Sequence, residues 1–485
     1  MAERGLESKV ASGIAWSFSE KFLTMLIQMV VSIIVARQLM PEDFGIMAIL
    51  TFFTSVALAI VDSGFSQTLI RKQNPSDEEY KSVLGFNVSV SLILYVVLLV
   101  VTPSIANFYG HSVIAKIAPV LFLVLPINSL CVVQTVMFTK EFRFALLSKI
   151  VFLSSLISGV VAVVMAVAGC GIWSLVAQRL LMMGIKATAF WAIRRWHTDV
   201  RFSLGAIRAM MPFSLRLLAT DLIASIYNNV AQLFIGKMHS TTTLGYYSQA
   251  QKLKDLPVTS TVQAVQGVTY PALSELNDND AKFGDGYERI VRMLGFVTFP
   301  VMLGFVAIAE DMFMLLLGEK WMPTVPYFEV LALSGLFYPL AVVAYNVLKV
   351  RSDGRIIIRL EVVKRIIMTA VLCYTIPRGV MAVAWGMTLM AAVEFLLNTS
   401  VAVRLAKIGA IRLIRALLPS FVIAVAMYFA IVSIKPYIAD MGVALRLVCE
   451  ILCGSVVYLL LALIFRLKAL KESVQLLRSM LTKSA

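Results

Sequence analysis

The chain has 485 residues, 60% of them hydrophobic and only 15% charged, with a mean hydropathy of +0.87; a soluble domain is roughly 45–50% apolar and about 25% charged. The apolar residues gather in fourteen blocks, which at about 22 residues each leave loops averaging about a dozen residues. That excludes an attached ATPase, a soluble transferase domain and a soluble receptor domain. The excess of 43 Lys+Arg over 28 Asp+Glu, +15 net, fits basic loops on one side of a membrane better than nucleic-acid binding.

The first six predicted spans run at about 12–38, 44–69, 83–106, 113–138, 145–168 and 171–193. The next six run at about 207–236, 243–272, 290–317, 324–349, 356–376 and 379–404. Two more follow at about 411–434 and 442–466, then a basic tail, 467–485. Leu467, Leu470, Val474, Leu477 and Leu481 share one face of that tail, which predicts an amphipathic helix on the membrane surface. Met1 to Lys9 carries no net charge and no small-residue cleavage site follows the first block, so no removable signal peptide is expected. The five cysteines are odd in number and form no CxxC, so they read as small hydrophobes and no metal site is expected.

With the N-terminus placed in the cytoplasm, the tails and alternate loops hold 28 Lys and Arg and the opposite loops six. The positive-inside rule then puts both termini in the cytoplasm. An internal echo runs at an offset of 200: Arg37/Lys237, Gly45/Gly245 and Gln28/Asn228 coincide. A second joins the stretch from Gly171 to that from Gly379. Together they predict two six-helix halves of the same orientation. The expected architecture is therefore an all-α integral membrane protein of about 14 transmembrane helices. Two pseudo-symmetric six-helix lobes, 1–204 and 205–405, surround a central cavity, and helices 13 and 14 occupy 406–466.

A charge at the centre of a bilayer costs about 2.5–3.5 kcal/mol on insertion scales, yet the blocks carry many. Lys21 and Gln28 lie on one face of the first with Ser17, Thr24 and Ser32, at helical steps of three and four. Asp62 sits on a similar stripe in the second, Asp221 and Asn228 in the seventh, and Gln249, Lys252 and Gln263 in the eighth. Such faces are expected to line a water-filled cavity rather than meet lipid. Phosphate in such a cavity needs cations, and Lys116, Arg179, Arg216 and Lys254 join Lys21 and Lys252 as candidates. Glu361, Lys364 and Arg365, spaced i, i+3, i+4, are expected to pair with one another, while Lys186 and Glu394 are expected to snorkel to an interface. Static interhelical hydrogen bonding is the competing reading of the stripes. No ATP-binding loop, HExxH or GxSxG is present, so no catalytic residue and no cofactor are expected. The three histidines fall in predicted loops and read as surface side chains. Energy for transport must then come from an ion gradient, substrate asymmetry or the membrane potential.

Gly13-Ile14-Ala15-Trp16-Ser17 and the run Val35-Ala36-Arg37-Gln38-Leu39-Met40-Pro41-Glu42-Asp43-Phe44-Gly45 resemble the start of bacterial Wzx-type polysaccharide-unit flippases. Leu244 to Ala250 and Tyr270 to Ser274 are similar to the start of their second half. These exporters belong to the multidrug/oligosaccharidyl-lipid/polysaccharide superfamily, and the colanic and teichuronic acid exporters look nearest. The resemblance implies two lobes in a V, alternating access, and cavity cations that handle a lipid diphosphate. It also implies a transporter that moves an undecaprenyl-diphosphate-linked oligosaccharide across the bacterial inner membrane for surface polysaccharide export. H+ or Na+ coupling and contact with polysaccharide polymerase machinery come with it as further possibilities; nucleic acid does not. A drug/cation antiporter of the same superfamily and a membrane-embedded glycosyltransferase or ligase are the alternatives. The motifs fix no single functional residue.

Overall fold

The computed structural model describes residues 23–62, 64–194, 203–352 and 354–472. Within them the chain is helical and contains no strand. As far as they are described, all fourteen predicted blocks are helices. They comprise α1 (Leu23–Gln38), α2 (Pro41–Asp62), α3 (Phe65–Arg71), α4 (Asp77–Tyr109), α5 (Ser112–Leu121), α6 (Val124–Lys140), α7 (Phe144–Val167), α8 (Trp173–Ile193) and α9 (Leu204–Met238). The second part holds α10 (Thr241–Glu275), α11 (Asp280–Ala307), α12 (Ala309–Leu316), α13 (Val325–Ser334), α14 (Tyr338–Arg351), α15 (Arg355–Thr375), α16 (Val380–Leu405), α17 (Ala410–Ile434) and α18 (Val443–Ile464). Ten helical spans are long and apolar enough to cross a membrane among the described residues, and the protein is a multi-pass membrane protein. The segments α1, α8, α10 and α15 are not among the ten. The last three carry charges inside their helices, and α1 is described over only 16 residues. The N-terminal segment to Lys9, Lys21 and the tail beyond Glu472 lie outside the described residues.

Several spans read as continuous are broken. The second block divides at Gly64, whose φ of 69° ends α2 and starts α3. The fourth divides into α5 and α6, and the tenth into α13 and α14. A proline stands just past each of these last two breaks, Pro126 and Pro339. Proline has no N–H to give to the carbonyl four residues back. The chain tightens instead: Leu125 N donates to Phe122 O at 2.9 Å, and Phe337 N donates to Ser334 O at 3.1 Å. The ninth block also breaks, at Ile308 between α11 and α12.

By packing, the chain falls into two compact units, 1–245 and 246–485, so α9 packs inside the first. In the first unit Ile46, Leu50, Ile105, Ile117, Phe122 and Val176 form one apolar cluster joining α2, α4, α5 and α8. Phe65, Leu69, Val83, Val136 and Met210 form another, joining α3, α4, α6 and α9. The N-terminal turns of α2 and α10 cross within this unit with no room for a side chain. A Cβ on Gly45 would overlap the Thr241 carbonyl, and one on Gly245 would overlap the Pro41 carbonyl. Each Cβ would also stand 3.2–3.3 Å from the other glycine's nitrogen. The contact is reciprocal, and it joins two positions the 200-residue echo pairs.

In the second unit Trp321, Phe313 and Phe328 are fully buried, with Phe313 and Phe328 edge to face at 5.2 Å. Buried polar groups tie its helices: Asn346 Nδ2 donates to Thr269 Oγ1 at 2.8 Å, and Thr388 donates to Val330 O at 2.7 Å. Lipid-facing surfaces are apolar instead, as at Val100 and Ile464.

Candidate functional site

The break at Gly64 places the start of α3 against α9. A Cβ on Gly64 would stand 2.7 Å from Leu217 Cβ and 2.8 Å from Ser214 O. There the Thr68 and Ser214 hydroxyls meet at 2.8 Å, and Ser66 donates to the Asp62 carboxylate at 2.5 Å. The ammonium of Lys140 caps the far end of α3, reaching Leu69 O at 3.3 Å, Ile70 O at 3.5 Å and Lys72 O. A cation at a helix C-terminus is favourably placed. Arg71 lies over the Phe213 ring at 4.7 Å. The short segment is thus held at both ends, with Asp62 at its start.

Asp221, two turns beyond Ser214 on α9, is exposed and close enough to Asp62 for the two carboxylates to repel. Arg216 is exposed on the same helix, and its guanidinium makes no ion pair among the described residues. Asn228 is exposed two turns on from Asp221, and Gln28 is half-buried on α1. Lys116 on α5 and Arg179 on α8 are exposed and unpaired among the described residues. Among the described residues the structure therefore leaves these cations without a carboxylate of their own.

In the second unit Lys254 pairs with its neighbour Asp255 at 2.6 Å, and Lys252 is exposed. Gln249 is buried, and its amide nitrogen has no hydrogen-bond partner among the described residues. Nothing is described of the Gln263 side chain. Lys364 is only 6% exposed; it bonds to Glu361 and lies 3.3 Å from Glu394. Arg365 approaches Glu361 at 3.6 Å. The expected pairing on α15 holds, but Glu394 does not snorkel: it reaches across from α16 to the buried ammonium. A buried cation needs a second anion more than a glutamate needs water. Lys186 turns to the Phe190 ring at 5.5 Å.

Sequence reasoning missed two features. His111 is no free surface side chain: its ring links Glu42 at 3.2 Å to the Thr241 hydroxyl at 3.0 Å. At one end of the second unit a cavity of about 270 Å³ is lined by Glu310, Asp311, Lys435, Arg446 and Glu450. Arg446 pairs with Asp311 at 2.7 Å. Glu450 is wholly buried, 3.9 Å from Lys435 Nζ, with no hydrogen bond to either oxygen among the described residues. A glutamate in the apolar run from Val443 to Ile464 was the available signal.

These features define a polytopic, all-helical membrane protein with polar side chains carried on helices apolar enough to span a bilayer. Residues 34–326, more than half the chain, match the family of polysaccharide biosynthesis proteins, and the chain belongs to that family. It is 24% identical over 465 residues to the teichuronic acid biosynthesis protein TuaB of Bacillus subtilis (strain 168), covering 94% of this chain and 95% of that protein. It is 20% identical over 403 residues to the lipopolysaccharide biosynthesis protein WzxC of Escherichia coli (strain K12), covering 81% and 80%. Among solved structures it resembles the lipid II flippase MurJ in an inward closed conformation. The TM-score is 0.72 at 15% identity, over 92% of this chain and 98% of that one. An inward-facing multidrug transporter of the MATE family gives 0.60 at 16% identity, over 80% and 96%. At such identities the solved structures establish the fold.

Proposed function

We propose that this protein is a flippase that carries an undecaprenyl-diphosphate-linked oligosaccharide from the inner to the outer leaflet of the bacterial cytoplasmic membrane. It works by alternating access, without enzymatic chemistry, and supplies repeat units for a surface polysaccharide. Its fourteen helices cross the membrane with both termini in the cytoplasm, and 1–204 and 205–405 are its two repeats. The observation that carries the reading is α9: a helix apolar enough to span a bilayer that presents Arg216, Asp221 and Asn228 exposed along its length. Lipid rejects such a face, whereas a hydrated sugar and its diphosphate require one. Arg179, Arg216, Lys116 and Lys252 are the groups we assign to the diphosphate, since guanidinium and ammonium match its charge and Arg adds a bidentate fork. Asp62 and Asp221 are the carboxylates we assign to a coupling H+ or Na+. Lys21, one per half with Asp221 under the 200-residue offset, completes the set.

The test is reconstitution of the full chain in liposomes with a fluorescent undecaprenyl-diphosphate-linked oligosaccharide. Flippase activity makes the outer-leaflet sugar pool accessible to an external quencher beyond half of the total. No transfer in either direction, with ethidium transported instead, would establish the drug-antiporter alternative.

A further inference from the structure

We infer that the second unit carries a binding site for the headgroup phosphate of an anionic membrane phospholipid, in a pocket between the ends of α11, α17 and α18. The pocket holds about 550 Å³, and five cations line it: Arg292, Arg412, Arg415, Arg466 and Lys468. Two of them are already neutralised. Arg292 pairs with Glu288 at 2.6 Å and with Glu472 at 2.7 Å. Arg412 pairs with Asp285 at 2.5 Å and with Glu288. These pairs consume Glu288, the one acid in the lining among the described residues. Arg415, Arg466 and Lys468 make no ion pair or hydrogen bond through their side chains among the described residues. Three unanswered cations thus converge on one concavity whose other charges are fixed.

The surroundings select the source of the phosphate. Ile411, Leu418 and Val422 on α17, with Ile464 and Phe465 at the end of α18, are each more than half exposed. They sit on helices apolar enough to span the bilayer, so their neighbours are acyl chains. A free anion would leave that apolar rim unused. A phospholipid places its phosphate in the basic pocket and its chains along the rim, and basic pockets between transmembrane helices take lipid headgroups in this way. Arg415 and Arg466 offer bidentate forks and Lys468 a point charge. The site is independent of what the protein transports.

The full chain is purified in detergent, and retention of phosphatidylglycerol is titrated by native mass spectrometry. Phosphatidylcholine and inorganic phosphate serve as parallel probes. We expect phosphatidylglycerol to bind, phosphatidylcholine to bind at least tenfold more weakly, and inorganic phosphate not to compete at millimolar concentration. Replacing Arg415, Arg466 and Lys468 by Gln removes three contacts of about fivefold each, so affinity falls on the order of 100-fold. K282Q/R289Q/R404Q removes the same charge from exposed positions elsewhere and should leave affinity within a factor of three. An equal loss in both triples would reduce the effect to general surface potential and overturn the site. Full competition by inorganic phosphate would overturn the lipid assignment. Should the triple variant not fold, R415Q alone is expected to lose about fivefold, and no loss there overturns the proposal as well.

Discussion

Gly45→Ala and Gly245→Ala test the reciprocal crossing of α2 and α10. Each added methyl meets a backbone carbonyl, Thr241 or Pro41, and a carbonyl in a helix cannot turn aside as a side-chain tip can. Relief requires the two helices to move apart. Overpacking of this kind costs about 1–3 kcal/mol, a fall in apparent melting point of about 2–4 °C per kcal/mol or somewhat less in a chain this long. The reciprocity adds a sharper expectation. One separation of the helices makes room for both methyls, so the double variant costs little more than either single one. The coupling energy is then about 1–3 kcal/mol. Gly110→Ala is the comparison: φ there is 76° and a Cβ meets nothing within 4 Å, so its strain is local and adds to that of Gly45→Ala. Fluorescence-monitored unfolding of the full chain in detergent measures the unmodified protein, the three single variants and the two double variants. Strictly additive Gly45 and Gly245 costs, or a silent single variant, would refute the shared-contact argument.

Lys364→Met removes the cation shared by Glu361 and Glu394 and leaves only Arg365 beside Glu361; with both glutamates partly exposed, unfolding stability should fall by about 1–3 kcal/mol, and Glu361→Gln with Glu394→Gln added should restore most of it. Asp221→Ala and Arg216→Gln should each cut export of surface polysaccharide at least tenfold with unchanged protein in the membrane, measured by cell-surface sugar and immunoblot. Lys21→Ala should do the same, and the exchange Lys21→Asp with Asp221→Lys should recover part of the activity if the two pair. An alkaline phosphatase fusion should be active near Lys237 or Lys435 and inactive near Arg195 or Arg404; the reverse would overturn the orientation.

Hydrophobic blocks announced the helices because a bilayer demands about twenty apolar residues per crossing, a demand that ten spans among the described residues meet by length and composition. Helix ends were less legible. α4 begins at Asp77, six residues before its apolar block, because Ser76 and Glu79 close a capping box there; the pattern was readable but lies outside the hydrophobic window. The breaks at Pro126 and Pro339 were readable too, since the two prolines stand at corresponding points of the fourth and tenth spans. Side-chain partners were not. The Lys364–Glu394 pair joins residues thirty apart on different helices, and periodicity speaks only for one helix at a time. The same limit hid the link between Glu42, His111 and Thr241. Of the polar positions singled out, Asp221 and Asn228 on α9 are exposed, whereas Ser214 on the same face and Gln249 on α10 are buried, because helical spacing fixes a face without saying what covers it.

The ion pair between α15 and α16 bears on how the protein is made. α15 carries Arg355, Arg359, Glu361, Lys364 and Arg365, too many charges for a nascent segment to pass from the translocon into lipid alone, at about 2.5–3.5 kcal/mol for each charge near the centre. Glu394, the partner that answers Lys364, emerges from the ribosome thirty residues later. In the proposed fourteen-helix topology α15 enters the bilayer only after α16 has been synthesised, and the two integrate as a hairpin. Loss of Glu394 would therefore act during biogenesis, as a chain threaded with the wrong topology and cleared by proteases, before any question of transport arises.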